Sequence, residues 1–328
     1  MKITLFWSTY DKSVDTDYDI WRNKKINISP FHLISLTSHL KVNHNVELYT
    51  YQKFNDNQVP KGITIKDADP IFNSRQAFVS LKYGHSIAHI SDAVRLKVAC
   101  KNLGVVLDMD AVVLKQFPEI SSFFSSMPAK LTGGMAPKWS DSHPPLYIND
   151  KSWNGKALAA FPIKVNDTLK PYVNKLADKI IKTLKAEPKK NSKAWNYVLW
   201  DIKKIMNVDE NTKVYQSIYF CPLSAWLPKG KCYSLESPTR LNGKTELFGF
   251  TLPSIKEIFE RSYIVQHFFE SSAHSQGGYG VTTEVKYKND LKFWENIQAD
   301  SLLGQEAKFV LGSNWKEIIY ERIKLNKI

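Results

Sequence analysis

Hydrophobic positions along the chain alternate between two periods. Residues 2–7, "KITLFW", form an apolar run of strand length, and "SPFHLISLTSHLKVNH" (29–44) spaces its apolar residues as a helix does, with Ser29 placed as N-cap and Pro30 at the first helical position. "VELYTYQ" (46–52) predicts a second strand, and this β-α-β opening favours a parallel sheet covered by helices. Over 86–103 the spacing predicts a helix that sends Ile90, Ala93, Val94 and Val98 to the core, with Gly104 where a helix end wants a left-handed residue and "VVL" (105–107) as the strand that follows. Downstream, "KALAAFPIKV" (156–165) reads as a strand and residues 166–185 as a helix capped by Asn166, with Pro171 tolerated in its first turn. "SKAWNYVLWDIKKIM" (192–206) predicts another helix, "YIVQHFF" (263–269) a strand and "NWKEIIYERIKL" (314–325) a final helix. No internal repeat or low-complexity linker interrupts the series. The expected fold class is α/β, a mostly parallel sheet flanked by helices with helical additions at the C-terminal end.

Composition narrows the class. With 328 residues, 43% hydrophobic and 12% aromatic, the chain can bury a large core, which disfavours disorder. No window reaches the roughly 18 uncharged apolar residues of a membrane span, and the opening "MKITLFWSTYDKS" has too short an apolar run for a signal peptide, so a cytoplasmic location is expected. Cys100, Cys221 and Cys232 show neither a disulfide framework nor zinc-site spacing and are expected as free thiols. The net charge of +13 favours an anionic partner: nucleic acid, an acidic membrane surface or a phosphorylated small molecule. Lys182, Lys185, Lys189, Lys190 and Lys193 make a basic set suited to solvent or to peripheral contact with anionic lipid at the inner face of a cell membrane. No RNA-binding aromatic signature or helix-turn-helix accompanies it.

Chemistry concentrates in "SDAVRLKVACKNLGVVLDMD" (91–110). In open parallel sheets ligands sit at the carboxyl ends of strands, and "VVLDMD" puts Asp108 and Asp110 at such an end. If the extended conformation persists, both carboxylates point to one side, and two hard oxygens on one side suit Mg²⁺ or Mn²⁺ with positions left for a diphosphate. The competing reading is that the two acids end a strand and start a turn. Asp92 and Arg95 lie one turn apart on the preceding helix, where they can act together or form an ordinary surface ion pair.

This stretch resembles the Ser-Asp-x-x-Arg helix followed by Gly-x-x-x-Asp-x-Asp of the DXD sugar-transferase family, which includes Och-type mannosyltransferases, bacterial capsule and lipopolysaccharide transferases and, more distantly, clostridial glucosylating toxins. About 25 residues carry the match; where the family has Gly-Gly-x-Tyr before the acids, this chain has Leu103, Gly104, Val105 and Val106. The resemblance implies a GT-A fold over residues 1–285, with a donor-binding half (1–115), an acceptor-side half (116–285) and a helical extension (286–328). It implies a retaining hexosyltransferase using Mn²⁺ (or Mg²⁺) and a nucleotide-sugar donor, a UDP-sugar, with a glycan acceptor in bacterial surface polysaccharide or lipooligosaccharide synthesis. In these terms Ser91, Asp92 and Arg95 hold the donor sugar, Asp108 lies near ribose and metal, and Asp110 binds the metal. Trp7 resembles the aromatic that stacks on the donor base, core packing being the alternative for a strand tryptophan. His267 resembles a late histidine set close to metal or diphosphate, and is equally a residue type that serves structurally; Glu270 and Ser271 are weaker candidates, and "SQGGYG" (275–280) is either a flap over the diphosphate or a solvated loop. The other function classes are a toxin-like transferase acting on a host protein and a non-enzymatic basic protein that binds nucleic acid or membrane.

Overall fold

The computed structural model describes residues 1–101, 104–126, 158–186, 200–201, 205, 207–215, 217–220, 246–247, 250–251, 254–267 and 291–327. Strand β1 (Lys2–Phe6) leads through helix α1 (Tyr18–Asn23), β2 (Lys25–Ile26), α2 (Pro30–Lys41), β3 (Asn45–Thr50) and β4 (Lys53–Phe54) to β5 (Ile63–Asp67). Helices α3 (Ser74–Lys82) and α4 (Ile87–Cys100) come before β6 (Val105–Val106), β7 (Ala111–Val113) and β8 (Phe123–Ser126). There follow β9 (Leu158–Lys164), α5 (Lys170–Leu184), β10 (Trp200–Asp201), β11 (Lys213–Tyr215) and α6 (Ser217–Phe220). The last described elements are β12 (Glu246–Leu247), β13 (Phe250–Thr251), α7 (Ile255–Arg261), β14 (Ile264–Gln266), α8 (Leu291–Glu295), α9 (Leu302–Leu311) and α10 (Trp315–Leu325).

The main sheet runs β11-β8-β9-β6-β1-β3-β5, with β10 added to β9. Strands β6, β1, β3 and β5 are parallel, β9 runs antiparallel to both β6 and β8, and β11 is parallel to β8. This is the mostly parallel, helix-flanked α/β fold expected from the sequence. Strand alternation sorts the side chains. Ile3, Leu5 and Trp7 enter one core with Leu33 and Leu36 of α2, while Phe6 enters the core on the opposite face with Ile90, Ala93 and Val94 of α4. A third core lies where Phe31 and Ile34 of α2 and Val112 of β7 meet Trp294, Leu302 and Trp315 of the C-terminal helices.

The cap expected at Ser29 forms. Ser29 Oγ accepts from the His32 N–H, with Pro30 at the first helical position, and Ser86 Oγ caps α4 in the same way. Asn166, expected as the cap of this helix, caps only a preceding turn: its Oδ1 accepts from the Leu169 N–H at 3.0 Å, and α5 begins at Lys170, after Leu169. Gly104 has φ +113°, and a Cβ there would lie 2.4 Å from the Lys2 carbonyl oxygen. Both the backbone conformation and the approach of β6 to β1 therefore demand glycine.

One element differs. Trp200 and Asp201 form a strand paired antiparallel with Ala159 and Leu158, so the predicted 192–206 helix does not run through them. Strand β8 occupies one side of β9, β6 pairs with it only at Ile163, and the ladder positions beyond are taken by this short segment, whose apolar run fits either period. Cys100 is a buried free thiol, whereas Cys221 and Cys232 lie outside the described residues. Among the described residues no helix is long and apolar enough to cross a membrane.

Candidate active site at the carboxyl end of strand β6

Alternation through residues 105–107 sets the side on which Asp108 lies. Val105 and Leu107 belong to the α2-side core and Val106 to the α4-side core, so Asp108 follows Val106 toward α4. There the Arg95 guanidinium donates from Nη1 to Asp108 Oδ1 and from Nη2 to Asp92 Oδ1 at 2.6 Å, while its Nε reaches the Ser91 carbonyl at 3.4 Å. Asp92 and Arg95 are each 4% exposed, so the pair is a buried one rather than the surface ion pair that was the alternative. Burial pushes the Asp92 carboxyl up to about 7; Arg95 pulls it down and Asp108 pushes it further up. Arg95 moves the other way from what burial favours, since Asp108 and Asp92 hold its proton more tightly. Both groups are raised, which disfavours the charge on Asp92 and favours that on Arg95; one guanidinium serves two carboxylates, and the more buried one is left undercompensated.

The strand does not continue through the acids as expected. Asp108 is irregular, and Met109 and Asp110 form a turn before β7. The carboxylates nevertheless meet, because a third residue draws them together. Strand β14 pairs antiparallel with β7, Gln266 opposite Ala111, and Gln266 Nε2 donates to Asp108 Oδ2 at 2.9 Å and to Asp110 Oδ1 at 2.8 Å. Gln266 is 4% exposed. Sequence alone did not single it out; its one signal is a glutamine beside His267 within the largely apolar "YIVQHFF".

His267 goes elsewhere. Its backbone N–H donates to the Asp110 carbonyl at 2.9 Å, but its Nε2 lies 2.7 Å from Glu306 Oε2 on α9, and both side chains are fully buried. The His267 ring packs edge-on against Phe31. His267, expected close to metal or diphosphate, has its Nε2 on Glu306 here: the residue after a strand's last inward side chain turns to the other neighbour, a buried carboxylate that needs a partner. Burial raises the Glu306 carboxyl, with His267 opposing the shift.

Trp7 follows the core-packing alternative. It is 7% exposed, with its ring centroid 4.0 Å from that of His32, and continues the Ile3–Leu5 side of β1 into the core. The loop after it is tied down by Gln52. Ser8 Oγ and the Thr9 N–H both donate to Gln52 Oε1, and Gln52 Nε2 donates to the Thr9 and Trp21 carbonyls, which fixes the chain at the carboxyl end of β1. Thr9 Oγ1 and the Tyr10 hydroxyl are shielded there without a hydrogen-bond partner among the described residues. Ser91 is half-buried one residue before Asp92. Lys182 and Lys185 are exposed near the end of α5, and Lys189, Lys190, Lys193, Glu270, Ser271 and residues 275–280 lie outside the described residues.

Among the described residues no three His, Cys, Asp or Glu side chains converge as a metal cage. The Asp108–Asp110 pair still fits a hard divalent cation. Its two oxygens face one point, held by the positive end of an amide dipole, and three carboxylates among these five residues stand against one guanidinium. A separate cleft of about 670 Å³, lined by Arg22, Lys53, Lys66 and Asp67 among others, lies at the carboxyl ends of β3 and β5 and shares no residue with this network. Its charges are partly spent on each other, as in the Arg22–Asp67 pair at 2.7 Å.

No protein-family model matches the chain, and no curated protein matches it. Among solved structures it is similar to the PaToxG glycosyltransferase at 14% identity and a TM-score of 0.34, over 62% of this chain and 68% of that one. The chemistry of the site therefore rests on its own residues.

Proposed function

We infer that the chain is a metal-dependent, retaining glycosyltransferase of GT-A type that takes a sugar from a UDP-sugar donor and passes it to a glycan acceptor, in bacterial surface polysaccharide or lipooligosaccharide synthesis. The observation that carries this reading is the meeting of Asp108 Oδ2 and Asp110 Oδ1 at one donor, at the carboxyl end of a parallel strand. Asp108 and Asp110 would hold Mn²⁺ or Mg²⁺, which when bound neutralises charge on the departing diphosphate. Arg95, anchored by Asp92, occupies Asp108 Oδ1 and so leaves Oδ2 for the cation. That commitment makes Arg95 and Asp92 positioning residues for Asp108, in place of the direct sugar contacts the resemblance implied. Thr9 and Tyr10, with polar atoms that lack partners at the neighbouring strand end, are the donor contacts this reading favours over Trp7. Transfer would proceed by front-face substitution: the acceptor oxygen bonds to the anomeric carbon as the bond to diphosphate breaks, and a departing phosphate oxygen takes the acceptor proton.

The test is ligand-induced stabilisation. UDP with Mn²⁺ should raise the melting temperature by several degrees at about 100 times its Kd, worth about 2.7 kcal/mol, and more than UMP does. Mn²⁺-dependent release of UDP from a UDP-sugar should accompany it. Equal shifts for UDP and UMP, or none, would count against the site.

A further inference from the structure

We propose that Gln266 is the third protein ligand of the cation site and that its amide, by turning over, changes from a plug to a ligand. This rests on the reading that Asp108 and Asp110 hold a divalent cation. The Gln266 side chain is more than nine-tenths buried, and its Nε2 stands between the two acids, 2.9 Å from Asp108 Oδ2 and 2.8 Å from Asp110 Oδ1. Its Oε1 is buried with no hydrogen-bond partner among the described residues. A buried carbonyl oxygen without a partner is costly, and an oxygen left in that state beside an acidic pair needs a reason.

The two ends of an amide are nearly the same in size and shape. A half-turn about the last side-chain bond therefore puts Oε1 where Nε2 now stands, with no change in backbone or neighbouring side chains. Without a cation this orientation sets three oxygens against one another, and the Nε2-inward orientation wins. With a divalent cation bound among the three oxygens the order reverses, since all three are then attracted to one charge. The spacing suits it. In an octahedral shell with metal–oxygen bonds of about 2.1 Å, adjacent ligands lie about 3 Å apart, close to the separations Gln266 already keeps. Because Arg95 occupies Asp108 Oδ1, Asp108 can offer Oδ2 alone, so the protein would supply one oxygen each from Asp108, Asp110 and Gln266 and leave the remaining positions to substrate phosphate and water. An amide rather than a third carboxylate keeps the ligand charge at two, matched to the cation.

The experiment uses the full chain with Mn²⁺ alone as probe. Bound Mn²⁺ is counted by loss of the free-ion EPR signal, and melting temperature is measured in chelator for wild type, Gln266→Leu and Gln266→Glu. Gln266→Leu should weaken Mn²⁺ binding about 10-fold or more. Gln266→Glu keeps an oxygen but loses the donor, so it should bind Mn²⁺ at least as tightly as wild type while melting lower in chelator, with three carboxylates then facing one another. If Gln266→Leu does not fold, Gln266→Met carries the same comparison. Mn²⁺ affinity of Gln266→Leu within about twofold of wild type, or Gln266→Glu as weak as Gln266→Leu, would overturn the ligand role. Asp110→Asn, measured in parallel, separates the two levels: loss of Mn²⁺ binding there with Gln266→Leu unaffected sinks the glutamine assignment alone, and a wild type that binds no Mn²⁺ sinks both.

Discussion

Gln266 and His267 are consecutive, both polar and both buried, yet they serve opposite kinds of neighbourhood. Gln266 reaches Asp108 and Asp110, and the Asp108 side chain is 30% exposed, so this arm opens to water. His267 reaches Glu306 with both side chains fully buried, against Phe31 and the core shared by α2, β7 and the C-terminal helices. The difference teaches that residue type is a poor guide to a site when two candidates adjoin. Histidine is the commoner ligand, but the pairing of β14 with β7 hands the acids to the glutamine.

That contrast can be broken by substitution. The largest effect is expected from His267→Leu, which leaves Glu306 buried without its cationic or hydrogen-bonding partner; stability should fall by about 3–5 kcal/mol. Mn²⁺ affinity of the folded protein should be unchanged. Adding Glu306→Leu should restore much of the lost stability, since an apolar pair can replace a buried ion pair at little cost. Denaturant unfolding and Mn²⁺ titration of both variants check this, and a His267→Leu protein that loses Mn²⁺ but not stability would put the histidine back in the site.

Next in size is Arg95→Lys. Lysine keeps the charge but cannot donate in a fork to Asp92 and Asp108 together, so Asp108 loses its orientation and Mn²⁺-dependent UDP affinity and turnover should fall together, by about 10–100-fold. Steady-state kinetics alongside UDP titration would show whether the loss is instead confined to folding stability, which would make the buried network structural only. The smallest effect belongs to Trp7→Phe. Removing part of a buried indole should cost about 1–2 kcal/mol of stability and leave UDP affinity within error, whereas a base-stacking role would show as weaker UDP binding at nearly constant stability.

Much of this architecture was legible because the signals were local. Ser29 and Pro30 start α2, the apolar face Ile90, Ala93, Val94 and Val98 defines α4, and Gly104 stands where φ is positive and two strands approach. The Asp-x-Asp pair was legible too, along with the helix residues that support it. What the chain hid depends on pairing across the sheet. Trp200–Asp201 became a strand because β9 had unpaired ladder positions, which periodicity in a short apolar run cannot report. Trp7 could have been placed from alternation alone, since Ile3 and Leu5 share its side. Gln266 could not, because the register that brings it opposite Ala111 is set between residues 151 to 155 positions apart in the chain, beyond any local pattern.

The most direct test of the account is Asp110→Asn, read for function and fold in one preparation. Asparagine keeps size and shape and serves almost as well in a turn, so the melting temperature in chelator should stay near that of wild type. It removes the charge that would hold a divalent ion, so Mn²⁺ binding and Mn²⁺-dependent release of UDP from a UDP-sugar should both collapse, with Asp108→Asn giving the same loss. An Asp110→Asn protein that folds and still releases UDP at a near wild-type, Mn²⁺-dependent rate would contradict the assignment of the acidic pair as a metal site and, with it, the proposed glycosyl transfer.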